Sequence, residues 1–321
     1  MELIMAHPEQ LKMLKRGVEV WNDWREENPA TKIDLQEANL GSTILRRANL
    51  QMADLRKANL EGTDLQEANL ANANLYDAGL REASLRKTNF HNADLSLARL
   101  QGAILIEADL TKASLIGAEM ADAMLNDANL REANLQEALL HRTNLSGSVL
   151  QEIELRGADL RESNVRNVKY NKLGLCRGIR LDGCYGSPRF VRDAKDNEFV
   201  EEFQQNHKYL WALWSVSSDC GRSIWRWVGW SVLFAVLFAI AFAYLGPEHF
   251  QINFLPADNG WHNLINMTYY SVVSFTTLGF GDIVPKTHLA AVLVMLEVIL
   301  GYVMLGGLIS IMATKLARRA A

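Results

Sequence analysis

A large apolar residue recurs every five positions from Leu35 through Leu40, Leu45, Leu50 and Leu55 to Leu160 and Val165, without an insertion. Phe90 and Met120 are the first departures from Leu, and both are apolar. Two positions before each stands a small residue, as at Ala38, Thr43, Ala48, Ala53, Ala58 and Thr63. Asp or Asn is frequent between the two, as at Asn39, Asn49, Asp54, Asn59 and Asp64. A helix repeats its apolar face at three and four residues and a strand at two, so a period of five fits neither. It requires a chain that turns a corner every five residues and stacks coil on coil, large over large and small over small. The result is a solenoid with a narrow core, stabilised between neighbouring coils.

The A-(D/N)-L-x-x pattern from Ile33 to Val168 resembles the pentapeptide-repeat family. That resemblance implies a right-handed quadrilateral β-helix with four repeats per coil. At about 4.8 Å per coil, roughly six or seven coils make a rod of about 30 Å. Open solenoid ends expose core and unpaired backbone, so caps are needed. Residues 1–30 are expected to supply the first as one amphipathic helix, Pro8–Glu27, with Leu11, Leu14, Val18 and Trp21 on one face and Pro29 after it. The period fails near Arg180, and the Gly-rich stretch from Gly174 to Pro188 is expected to close the β-helix domain, 31–190, as a turn-rich loop. Some members of the family imitate duplex DNA. Here Arg46, Arg47, Arg56, Lys57, Arg81, Arg86, Lys87 and Arg131 interrupt any acidic face, which reads as a solvated mixed-charge surface. The net charge of −4 calls for no nucleic acid. A rigid spacer or assembly surface is expected, with an unknown cytosolic regulator as candidate partner.

The overall 49% hydrophobic content hides two solvents. The chain is polar up to Asn206 and carries long apolar runs beyond Trp225. A first span is expected at about 225–245, with Trp225, Trp227 and Trp230 at one edge and Tyr244 at the other, as interfacial aromatics sit. A second is expected at 288–315, with Glu297 the one charge in Leu289–Met312. Lys208, Arg222 and Arg226 precede the first span, and Lys315, Arg318 and Arg319 follow the second. The loop between holds Glu248, Asp258 and Asp282 but a single Lys, Lys286. The positive-inside rule then puts both termini in the cytoplasm of a multi-pass protein of the cell inner (plasma) membrane. Glu2, His7, Glu9 and Gln10 occupy the place of a signal-peptide apolar region, so none is expected. Cys176, Cys184 and Cys220 fit no zinc spacing and read as reduced structural thiols. Between the halves, 191–222 reads as a linker, with one long amphipathic helix from Asp193 to Gly221 lying on the membrane surface. The fold class expected is a multi-domain membrane protein: the β-helix, then an all-α two-helix pore module (223–321) with a re-entrant pore loop.

That loop carries the chemistry. Asn263–Phe275 is too short for a full span, and Thr276-Thr-Leu-Gly-Phe-Gly-Asp282 follows it, then Pro285. The T-L-G-F-G-D run resembles the selectivity filter of potassium channels, with Leu in the usual Val place and Phe in the usual Tyr place. This resemblance, over 261–285, implies that the carbonyls of Thr277, Leu278, Gly279 and Phe280 form successive K+ sites. The Thr277 hydroxyl adds to the inner end, and Gly281 completes the strand. Rings of oxygens replace the ion's hydration shell, and closing each ring implies a homotetramer in a lipid bilayer. Gly279 and Gly281 can take backbone angles barred to other residues. The family also places bracing aromatics at Tyr269 and Tyr270, support at Thr276 and Asp282, and an inner-helix hinge at Gly301. Gly306 and Gly307 are a second candidate bend, with close helix packing an equal reading for all three. Glu297 is an ionisable residue inside a span. It is expected to bond Ser271 or Ser274 as a filter brace, with exposure to the ion pathway the alternative. His249 and His262 are expected to be plain surface residues, external pH sensing being the alternative.

No span carries the regular arginines of a voltage sensor, and few residues follow the second span, so cytosolic regulation is expected through the repeats. No cofactor is expected beyond permeant K+, and no nucleophile–base or metal-ligand cluster suggests an enzyme. The sequence therefore reads as a passive, tetrameric potassium-selective channel. A nonselective cation channel and a membrane-tethered pentapeptide-repeat binding protein are the alternatives.

Overall fold

The computed structural model describes residues 6–220, 223–252 and 260–320, the side chains of 213, 260–263 and 314–320 excepted. It divides into two units, Met1–Glu202 and Phe203–Ala321.

In the first unit each five-residue side is one turn and one bridge. The small residue's amide donates to the carbonyl of the large residue three before it, as Ala38 N does to Leu35 O at 3.1 Å. The second turn residue is left-handed at every side, from Glu37 (φ 56°) to Asn167 (φ 56°). Gly occupies the position at Gly62, Gly102, Gly117, Gly147 and Gly157, but Glu, Lys, Arg, Asp and Asn fill most of the others. An L-residue there costs about 1–2 kcal/mol, which the coil must offset. Asx residues help. Asn59 Oδ1 accepts from Glu61 N at 3.1 Å and Asn89 Oδ1 from His91 N at 2.9 Å, so the bridge residue opens the next turn. Two positions are poorly chosen: Met52 (φ 60°) and Leu97 (φ 58°) are left-handed with exposed apolar side chains. Met52→Asn, with a side chain that tolerates this region, is expected to raise stability by about 0.5–1 kcal/mol, read as a higher denaturation midpoint.

Parallel bridges join Asp34 to Asp54, Asn39 to Asn59, Ile44 to Asp64 and Asn49 to Asn69, and the 20-residue spacing continues to Val149 and Lys169. Each coil thus has four five-residue sides. The large column from Leu35 to Val165 and the alanines before it are buried. Where the small residue is Thr or Ser, its hydroxyl donates to a backbone carbonyl: of the preceding coil from Thr63 to Leu40 (2.8 Å), Thr88 to Leu65 (2.8 Å) and Ser163 to Leu140 (2.7 Å), and of its own turn from Thr43 to Leu40 and Ser148 to Leu145 (2.6 Å each). No buried hydroxyl among these is left unpaired, which keeps a polar substitution in the core affordable.

The N-terminal cap is two helices rather than one. Gly17 (φ 135°, ψ 155°) separates α1 (Pro8–Arg16) from α2 (Val18–Glu27). Their side chains stand in for a missing coil. Gln10 accepts from Asp34 N (2.8 Å) and donates to Lys32 O (2.9 Å). Asn22 accepts from Asn49 N (2.8 Å) and donates to Arg47 O (3.0 Å). Trp21 is fully buried and its indole N–H donates to Asn49 O at 2.9 Å.

The other end departs from the expected loop closure. After Lys169 one residue is inserted, and bridges resume at a spacing of 21, Asp159 to Arg180 and Asn164 to Tyr185. Arg161 grips Asp159 through both oxygens (2.8 and 2.6 Å) at this step and holds its carboxyl below the usual carboxylate range. The end is capped by α3 (Pro188–Asn206). Its Phe190 and Ala194 are buried, and its Glu201 and Glu198 accept from the amides of Cys176 (2.7 Å), Arg177 (3.2 Å) and Gly178 (3.0 Å). The expected single linker helix is therefore two, α3 and α4 (Lys208–Ser218), parted at His207 (φ −137°, ψ 58°), and the first turns of α3 belong to the rod. Phe199, placed on the expected apolar face, is exposed. The linker's Gly221 and Arg222 lie outside the described residues. Burial pushes the Cys176 thiol up to about 12 and that of Cys184 up to about 11, as inert structural thiols require.

The second unit holds α4, α5 (Ile224–Leu245), a 3-10 turn (Pro247–His249), β1 (Phe250–Ile252), α6 (Gly260–Phe275), β2 (Ile283–Pro285) and α7 (His288–Ala320). Ile224–Leu245 and His288–Ala313 are long and apolar enough to cross a bilayer, at about 1.5 Å per residue. β1 and β2 pair antiparallel, with Gln251 opposite Val284.

Candidate functional site

The site is built around α6, a helix of 16 residues, short of the roughly 20 a crossing helix needs. Tyr270 anchors it. The ring is buried with Phe242 of α5 and Phe250 of β1, all three centroid distances being 5.5 Å. The β1–β2 pair then draws the chain after the loop back beside α5, and Lys286 N donates to His249 O at 2.8 Å. His249 also shares a 2.8 Å hydrogen bond with Thr287. The His262 side chain and Asp258 lie outside the described residues.

The helix ends in a Schellman-type cap, with Thr277 N donating to Ser274 O and Leu278 N to Val273 O, each at 3.0 Å. Beyond it every second residue is left-handed: Thr277 (φ 62°), Gly279 (φ 49°) and Gly281 (φ 73°). For a β-branched residue such as Thr277 this is a true outlier. The whole run 276–281 is exposed in the single chain, Leu278 at 61% and Phe280 at 66%. Its far end is tied down: Tyr269 Oη donates to Asp282 Oδ2 at 2.5 Å, and Asp282 Oδ1 accepts from Ile283 N at 3.1 Å.

The two tyrosines therefore do different things. Tyr269 holds the loop, whereas Tyr270 holds α6 against α5. Thr276 turns its hydroxyl back onto Val272 O (2.6 Å). Glu297 is fully buried and meets Ser271, not Ser274.

The glycines of α7 separate. The helix runs unbroken through all three. A Cβ on Gly301 would stand 2.1 Å from the Phe275 carbonyl oxygen, and one on Gly307 would stand 2.1 Å from the Trp227 ring. One on Gly306 would meet nothing within 4 Å. Gly301→Ala is accordingly expected to lower the thermal midpoint of the membrane-embedded protein. Gly306→Ala should hold or raise it, since Ala gains about 1 kcal/mol of helix propensity.

One structural residue escaped the sequence reading. Trp227, at the interfacial edge of α5 by sequence, donates its indole N–H to Met304 O at 2.6 Å and pins α5 to α7. The small Gly307, one turn beyond Met304, is the trace it leaves in the sequence.

A solenoid closed by helical caps, followed in sequence by a shorter helix and a left-handed loop set between two bilayer-length helices, defines a repeat protein fused to a membrane-channel module. A family model described as "Ion channel" matches residues 230–318. One described as "Pentapeptide repeats" matches in 8 copies, over 31–62, 63–102, 93–131, 103–142 and 138–169. The chain thus carries a pentapeptide-repeat region at its N-terminal side and an ion-channel domain at its C-terminal side.

Among solved structures the chain is similar to HetL, a pentapeptide repeat protein involved in heterocyst differentiation regulation from the cyanobacterium Nostoc sp. strain PCC 7120. The identity is 29% over 51% of this chain and 93% of that one, with a TM-score of 0.22. It is also similar to Rfr23, a pentapeptide repeat protein from the cyanobacterium Cyanothece 51142. There the identity is 25% over 44% of this chain and 83% of that one, with a TM-score of 0.23. Among curated proteins no match was found.

Proposed function

We propose that four copies of this chain form a potassium-selective channel, passive and multi-pass in the inner (plasma) membrane with both termini cytoplasmic. The observation that carries the reading is the left-handed backbone at Thr277, Gly279 and Gly281. In an ordinary strand successive carbonyls point to opposite sides. Inverting φ at alternate residues turns them towards one side, which is what a column of oxygen rings needs. Strain at a β-branched residue persists where function over-determines it. Leu278 and Phe280, apolar and exposed in one chain, need neighbours to cover them, and three further copies around an axis supply both cover and the other oxygens of each ring. Tyr269 and Asp282 support the outer end, and Tyr270 and Glu297 support α6.

The β-helix acts in assembly or regulation. Removing residues 1–202, the whole first unit, is expected to change open probability in single-channel records, and unchanged gating would remove the regulatory role. The channel itself is tested by potassium flux from the full-length protein in liposomes. Flux that barium blocks, with reversal potentials in mixed potassium and sodium set by potassium, is the expected outcome. Equal permeability would turn the reading to a nonselective pore. No flux at all would turn it to a membrane-tethered binding protein.

A further inference from the structure

Glu297 lies fully buried on the face of α7 that meets α5 and α6. Its Oε1 is hydrogen-bonded to Ser271 Oγ, and the same hydroxyl lies 2.7 Å from the Ala235 carbonyl of α5. A carbonyl only accepts, so both contacts can be hydrogen bonds at once only when the single Ser271 proton goes to Ala235 and Ser271 offers Glu297 a lone pair. The bond to Glu297 then requires a hydrogen on the carboxyl. A carboxylate would face a lone pair at Oε1 and nothing at Oε2, which has no partner. A buried, unpaired charge at membrane depth is among the costliest arrangements a protein can hold.

Among the described residues no cation is paired with Glu297. From α5 the neighbour is the Ala235 carbonyl. From α6 come the hydroxyls of Ser271, Ser274 and Tyr270, all buried. Among the described residues of α7 between 289 and 313 there is no other charged side chain. One turn further along α7, Gly301 rests against the Phe275 carbonyl, the last residue of α6. The α7 helix therefore touches the middle and the end of α6, directly before the Thr276–Asp282 loop.

We propose that Glu297 is a neutral acid that donates its proton to Ser271, so that Glu297, Ser271 and the Ala235 carbonyl form one relay tying α7, α6 and α5 together, and that ionising it frees α6 and stops conduction. The second half rests on the channel reading above. Glu297 is then a positioning residue: it touches no ion and acts through α6.

The test uses the full-length protein in liposomes, with pH raised on both sides. Wild-type flux is expected to be lost on the alkaline side. Glu297→Gln keeps a neutral donor for Ser271 and should conduct at neutral and alkaline pH alike. A Glu297→Gln channel with the wild-type pH profile, or one that assembles normally but never conducts, overturns the relay. Infrared spectroscopy reads the first half without conduction. A protonated-carboxyl C=O band at neutral pH should vanish in Glu297→Gln and shift in Ser271→Ala, where the hydrogen-bond partner is gone. Its absence from the wild type overturns the neutral acid even if flux is robust. Its presence in a protein that never conducts leaves the relay standing and sinks the channel reading instead.

Discussion

Gly279→Asp is expected to abolish potassium flux from the reconstituted protein while leaving the β-helix and the assembly intact. Gly279 has φ 49°, and any L-residue there costs about 1–2 kcal/mol in each chain. Four chains around one axis multiply that. The aspartate adds carboxylates beside a file of dehydrated cations, where tight binding is as harmful as none, because conduction needs ions to leave as well as enter. Gly279→Ala separates the two effects. Its Cβ would meet nothing within 4 Å in the single chain, so it introduces backbone strain alone and should reduce flux rather than remove it. Thr277, already left-handed with a branched side chain, shows that the strain by itself is bearable. Flux assays, with circular dichroism and size-exclusion profiles as folding controls, read the result. Wild-type flux in Gly279→Asp would mean that the loop does not line the pathway.

Trp21→Ala carries the largest expected stability effect. Removing a fully buried Trp typically costs about 3–5 kcal/mol, and here the indole N–H that pairs with Asn49 O is lost as well. Because a solenoid couples each coil only to its neighbours, the damage should stay at one end. Amide exchange should accelerate in the first coils, around 33–52, and stay at wild-type rates beyond the middle of the rod. Uniform loss of protection would instead mark the β-helix as a single cooperative block.

These two sites also show what the residues disclosed and what they withheld. Leu35 to Val165 announce the solenoid because each five-residue side sends one large and one small residue inwards, and no other architecture tolerates that period. The loop from Thr277 to Asp282 is equally plain, since two glycines one residue apart after a short helix leave few alternatives. The contacts that make the caps are not plain. Gln10 and Asn22 work by imitating backbone groups of a coil that is not there, and a polar side chain on a helix gives no sign of which distant amide it will meet. The one-residue step after Lys169 falls where the repeat has already decayed, so the two further bridges behind it were invisible. Left-handed Glu, Lys and Arg along the rod were missed for a related reason: these residue types do not advertise positive φ, and only the stacked coils impose it. In α7, glycine spacing left hinge and packing equally open. The decision came from Phe275 and Trp227 lying against Gly301 and Gly307, contacts made across the fold.

The most direct measurement is the structure of the full-length protein in a lipid bilayer with potassium present. Four copies of α6 and its loop should surround one axis, the carbonyls of Thr277, Leu278, Gly279 and Phe280 facing inwards on a single file of ion density. A loop that faces lipid or packs against its own chain, or a membrane region without fourfold symmetry, would contradict the account.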